Sequence, residues 1–139
     1  MARIGFDASH EQFAPSELLQ RVKAAEAAGF DRAMSSDHFR PWGPTQGQSG
    51  FAGSWLGTGL QATALPFGVI SAPGYSYHPA ILAQAAATLC EMFPGRLWLT
   101  LGSGQRLNED LAGGRVAREG RGECTPAQVR GHRSRLAQP

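Results

Sequence analysis

Four short apolar runs recur along the first hundred residues, and each pair is separated by a stretch with helical spacing. The runs are 3–8, 31–35, 65–72 and 96–101. They read as near-continuous apolar segments, the pattern of strands buried on both faces. Strand followed by helix, repeated down a chain, predicts a parallel sheet with its helices outside. That order excludes an all-helical bundle and a meander of hairpins. The expected fold class is therefore α/β, with about four parallel strands in the order 1-2-3-4 and helices on one side.

The intervening segments carry their own punctuation. Pro15 suits the first turn of a helix, where a missing N–H costs nothing. Leu18, Leu19, Val22 and Ala25 then share one helical face. Gly29 suits a left-handed stop, with Phe30 behind it. The 43–50 segment is a loop by its Gly, Pro, Gln and Ser content. A second helix spans 51–63, with Trp55, Leu56, Leu60 and Ala64 at helical intervals and Gly53, Gly57 and Gly59 weakening it. Pro66 stands at the start of the third strand, where a lost donor matters least. His78-Pro79 opens a third helix in which Ile81, Ala85, Leu89 and Met92 form a stripe, and Pro94-Gly95 ends it. Cys90 falls in that apolar stretch and reads as an inert core thiol.

Polar groups gather just past the strand ends: Asp7 and His10, Asp37 and His38, Ser71, Ser103 and Asn108. In parallel α/β folds that edge of the sheet is where sites are built. The most concentrated of these stretches is Ser36-Asp37-His38-Phe39-Arg40-Pro41-Trp42. It places an acid, an imidazole and a flat apolar wall together after the second strand. Each residue also has a plainer role. Asp37 suits a loop cap, His38 a half-buried imidazole bonded to a carbonyl, and Trp42 simple packing. His78 is better placed to cap its helix than to touch a ligand.

A chain of 139 residues holds one modest core. A net charge of +2 is too small to argue for nucleic acid. No apolar run is long enough to span a bilayer, and an acid at Asp7 comes too early for a signal peptide. Cys90 and Cys124 have no metal-ligand spacing. These features point to a reduced, cytoplasmic protein. All twelve aromatic residues precede position 100, whereas 113–139 holds six arginines and no aromatic residue. Residues 1–112 and 113–139 thus read as different material.

Several segments together resemble the N-terminal part of the luciferase-like monooxygenase superfamily of flavin- and deazaflavin-dependent oxidoreductases. They are Ala8-Ser9-His10-Glu11-Gln12-Phe13, Ala24 through Phe30, Ser36 through Trp42, Gln46 through Phe51, Tyr77-His78-Pro79-Ala80, Ala83 through Leu89, and Leu101 through Gly104 followed by Leu107-Asn108-Glu109. The branch it is most similar to includes the deazaflavin-dependent glucose-6-phosphate dehydrogenases. The resemblance implies the N-terminal half of a TIM barrel with FMN or the deazaflavin coenzyme F420 across its C-terminal mouth, acting on a small-molecule substrate. By the same resemblance His38 is the catalytic base. Asp37, Trp42, Val69, Ile70, Ser103 and Asn108 are cofactor-binding, with Val69-Ile70 at a bulge containing a non-prolyl cis peptide. Gln105 departs from the dehydrogenases, which carry a glutamate there as proposed acid, and Gly53 is small for its position.

After Gly113 the pattern stops, and the Arg, Gly, Ala and Pro that follow are what a GC-rich gene yields out of frame. The expectation is a truncated barrel, active or persisting as a non-catalytic fragment. Its inner face would expose Phe6, Val69 and Leu99. Its open first and fourth strands would invite self-association into a homo-oligomer.

Overall fold

The computed structural model describes residues 2–72 and 77–102. The elements run β1 (Gly5–Ala8), α1 (Pro15–Ala27), β2 (Arg32–Ser35), α2 (Ala52–Ala62), β3 (Phe67–Ser71), α3 (Pro79–Met92) and β4 (Leu97–Leu101). The strands form one sheet in the order β1-β2-β3-β4, with every neighbouring pair parallel. The alternation read from the sequence is thus realised, with boundaries within about two residues of those expected, as element ends usually are.

Local chemistry explains the first crossover. Gly29 adopts φ +89°, which a side chain would disfavour. The Phe30 N–H then reaches the Ala25 carbonyl at 3.1 Å and the Gly29 N–H reaches that of Glu26 at 3.0 Å. Those two bonds close α1 in the left-handed manner. The chain drops at once into β2, whose Ala33 and Ser35 are buried.

Register decides which side chains meet. Phe6, Ala33, Phe67 and Leu97 align across the sheet, as do Ala8, Ser35, Val69 and Leu99. Both rows face the helices. There they meet Leu18 and Val22 of α1 and Trp55, Leu56 and Leu60 of α2 in one apolar core. The intervening row, Asp7, Met34, Gly68 and Trp98, faces the other way.

That register corrects one expectation. Phe6, Val69 and Leu99 do not lie on the face away from the helices; they pack into or against the core. Successive strand residues alternate faces, so it is Ile70, 47% exposed, that stands on the open side.

On that open face the Trp98 ring lies over Gly68, and a Cβ built there would stand 2.3 Å from it. Arg32 places its guanidinium 5.6 Å from the same ring centroid. Gly68→Ala is therefore expected to lower stability by about 1–3 kcal/mol, as overpacking does. A denaturant midpoint measures it; an unchanged midpoint would mean that Trp98 swings aside freely.

Helix α3 differs from its expected packing. Ile81 and Met92 are 58% and 56% exposed, and Cys90 is an exposed free thiol, not a core one. Of the expected stripe only Leu89 packs against the core, and Phe93, just past the helix end, is buried beside it. The helix is apolar nearly all round, so periodicity cannot settle which face turns inward. His78 caps the helix as read, accepting the Ala80 N–H at 3.2 Å. Among the described residues no helix is long and apolar enough to cross a membrane.

Candidate functional site

Because all four strands run the same way, their C-terminal ends share one edge. The turn after β1 brings Ser9, His10 and Glu11 to that edge, and the turn after β2 brings Ser36, Asp37 and His38 beside them. A cleft of about 410 Å³ opens between them, bordered by Asp7, Glu11, Asp37, His38, Trp42 and Ile70.

Glu11 organises the cleft. It is 3% exposed, and a buried carboxylate must be paired. One carboxylate oxygen meets His38 Nδ1 in a short contact. The other accepts from the Ser9 hydroxyl at 2.7 Å and the Ser36 hydroxyl at 2.8 Å. Burial alone would raise its pKa, but hydrogen bonds from His38, Ser9, Ser36 and its own backbone N–H outweigh that and hold it at about 2. Glu11 is thus an anion at any ordinary pH.

This settles the tautomer of His38. An ionised Glu11 only accepts, so Nδ1 carries a proton toward it, and Nε2 is the nitrogen that takes up or gives a proton. The Trp42 indole N–H, 3.2 Å from the same Nδ1, cannot donate to a nitrogen already bearing hydrogen. Its contact is the edge-on packing of two rings, with centroids 5.2 Å apart and planes at 88°. The backbone N–H of Trp42 is held by Gln46 Oε1 at 2.9 Å. The Ser49 hydroxyl lies 2.9 and 2.7 Å from the carbonyl oxygens of His38 and Phe39. The 43–50 loop thereby fastens the His38 turn.

Asp37 bonds elsewhere, accepting the Tyr77 hydroxyl at 2.8 Å. Burial, then that bond and the charge of Asp37, raise the Tyr77 pKa well above its ordinary value. Asp7, the acid on the open face of β1, is pushed up by burial and by the negative charge of Glu11, with His38 pulling the other way. His10 is fully buried. Its Nε2 lies 3.0 Å from the Ser35 hydroxyl, and its ring meets Trp55 edge-on at 5.1 Å. Burial lowers its pKa, against the pull of Glu11 and Asp37.

Of the residues picked from the sequence, Asp37, His38, Trp42 and Ile70 border one cleft. Val69 turns to the helix side. The expected cis peptide is absent: every described peptide bond is trans. Val69 and Ile70 instead continue regular pairing with Leu99 and Thr100. Ser103, Asn108 and Gln105 lie outside the described residues, as does 113–139. Sequence reasoning placed Asp7 at this edge without giving it a role, and passed over Glu11 and Tyr77. A carboxylate beside a histidine in the turn after β1 was a visible signal for Glu11, but nothing local revealed its burial.

The titrating groups predict acid sensitivity. Unfolded His10 binds a proton below its ordinary 6.5 that the folded imidazole resists, so stability falls as pH drops below that point. Unfolded Glu11 protonates near 4.5 and folded Glu11 only near 2, so its contribution is complete above 4.5 and is lost between those values. Asp7, with its pKa raised, works in the opposite sense and softens the fall. Urea midpoints at descending pH should drop in two stages, with Glu11→Gln removing the lower one. A profile unchanged by Glu11→Gln would contradict the assigned network.

Comparison with known proteins agrees with the α/β fold. The sequence profile of the luciferase-like monooxygenase family matches residues 1–126. The F420-dependent glucose-6-phosphate dehydrogenase of Segniliparus rotundus is 43% identical over 113 residues, which is 80% of this chain and 34% of that protein. The Mycobacterium tuberculosis enzyme of the same name is 42% identical over the same shares. The chain thus spans about a third of the length of these relatives. Among solved structures, an F420-dependent secondary alcohol dehydrogenase in complex with an F420-acetone adduct superposes with a TM-score of 0.79 at 40% identity, covering 83% of this chain and 36% of that one. A type II Baeyer-Villiger monooxygenase in complex with FMN gives a TM-score of 0.61 at 22% identity, over 84% and 34% of the two chains, a likeness of fold alone.

Proposed function

Since the chain belongs to the luciferase-like monooxygenase family, we propose that it forms the base-bearing part of an oxidoreductase using a deazaflavin coenzyme or FMN on a small-molecule substrate. The observation that carries this is the Glu11–His38 pair, set in a mostly polar cleft to which Met34, Trp42 and Ile70 add apolar surface. Ile70 and Trp42, 47% and 52% exposed, offer apolar surface among the polar groups that line the cleft. That combination fits a ring with an apolar face and polar edges. Asp37, Trp42 and Ile70 would hold such a ring. Ser103 and Asn108 are proposed as further contacts on sequence grounds.

When bound, the cofactor supplies the two-electron acceptor. The chain's own part is proton handling. As a substrate alcohol gives up hydride, its hydroxyl proton passes to His38 Nε2. The resulting imidazolium is stabilised by ionised Glu11 through Nδ1–H, a charge-assisted bond. The like charge of Asp7 across the cleft adds to that stabilisation. The deazaflavin coenzyme is the better-supported choice, since relatives above 40% identity are named for it. Gln105, where those dehydrogenases carry an acid, weighs against a sugar phosphate as substrate.

Two finer readings accompany this. Among the described residues strands β1 and β4 are the edges of the sheet, which supports self-association into a homo-oligomer. The exposed Cys90 thiol supports a reducing, cytoplasmic setting.

Anaerobic mixing of the chain with oxidised deazaflavin coenzyme and a panel of small alcohols and sugar phosphates tests the main reading. Bleaching of the coenzyme's visible band by one substrate class is the expected result. Coenzyme that binds and is bleached by none would leave a binding fragment without dehydrogenase chemistry.

A further inference from the structure

A second space lies on the other side of Asp37, between the sheet and helices α2 and α3. It is an almost wholly apolar slot of about 80 Å³. Its walls include Leu56 of α2, Val69 of β3, Ala86 of α3 and Leu97 of β4. Gly53, one of the glycines that weaken α2, lines it. A Cβ at Gly53 would stand 3.1 Å from the Phe51 ring, and one at Gly57 would stand 3.7 Å from Leu89 of α3. Small residues on both helices thus leave the slot unfilled.

One polar atom faces it without a partner. Ser71 lines the slot and is 2% exposed, and its hydroxyl makes no hydrogen bond among the described residues. A buried hydroxyl left unpaired is costly. The other polar groups at that end, Asp37 and Tyr77, are bonded to each other. Water is a poor occupant, since a buried water needs two to four polar partners. The size is also informative. A water takes about 30 Å³ of liquid and a cavity of about 150 Å³ holds benzene, so this slot suits roughly three to five non-hydrogen atoms.

We propose that the slot between α2, α3 and the sheet is a binding site for a short aliphatic alcohol, with the alkyl chain among Leu56, Val69 and Leu97 and the hydroxyl on Ser71. This site is separate from the cleft and owes nothing to the redox reading, because the ligand need not react and no cofactor takes part.

The test uses the complete chain with methyl-labelled Leu and Val, titrated with isobutanol and with isobutane. Saturable shifts at Leu56, Val69 and Leu97 are expected, with isobutanol binding about tenfold more tightly than isobutane, the value of one hydrogen bond. Ser71→Ala should remove that preference and leave isobutane binding intact. Ala86→Leu should fill the slot and abolish both titrations. Ser71→Ala, which deletes one atom, carries the test if Ala86→Leu does not fold. Absence of saturable shifts, equal affinity for the two ligands, or a preference that survives Ser71→Ala would overturn the proposal.

Discussion

His38→Ala should lower turnover by about 10²–10⁴-fold, the usual contribution of a positioned general base, while cofactor affinity changes far less. The asymmetry follows from the site. The imidazole is anchored through Nδ1 to an ionised Glu11, which leaves Nε2 to exchange the proton. Under the proposed function, removing the ring removes the proton acceptor but leaves Ile70 and Asp7 in place. It also strands the buried Glu11 carboxylate, so some loss of stability is expected together with the loss of rate. His38→Gln separates the two effects, because its amide can still donate to Glu11 but cannot accept the proton. Turnover should therefore remain low in His38→Gln while stability recovers. Matched losses of cofactor affinity and rate in both variants would make His38 a binding contact instead.

Phe67→Ala should destabilise the chain by about 3–5 kcal/mol, the range for a buried aromatic truncated to alanine. Phe67 has no exposed surface. Its ring meets Trp55 at 5.9 Å, and a Cβ on Gly59 would stand 3.2 Å from it. It also sits in β3, which pairs with both β2 and β4, so a local collapse would disturb two ladders. Domains retain only about 5–15 kcal/mol in total. The variant should thus lose a large share of its cooperative transition by circular dichroism. A melting curve superimposable on that of the parent chain would mean that the core described around α1, α2 and β3 is not the stabilising one.

Element order was legible because apolar runs and helical stripes differ in period, and because Pro15, Gly29 and Pro79 mark helix ends by backbone chemistry. The edge on which the site is built was legible for the same reason: in a parallel sheet all polar C-terminal turns fall on one side. Facing was harder. Val69 and Ile70 are both apolar, and only the register with Leu99 and Thr100 shows which one meets the cleft. In α3 the exposed Ile81 and the inward Leu89 are equally apolar in sequence. Glu11 was passed over because its importance comes from burial beside Ser36 and His38, contacts that span 25 and 27 residues of chain. Local spacing carries no trace of contacts that distant.

The central claim is that the cleft between the β1 and β2 turns is where the cofactor ring lies. Fluorescence titration of the chain with the deazaflavin coenzyme and with FMN tests it most directly, because Trp42 lines the cleft while Trp55 is buried in the core and Trp98 covers Gly68. The account predicts saturable quenching by at least one of the two, most of which disappears in Trp42→Phe. Quenching by neither, or quenching undiminished in Trp42→Phe, would contradict it.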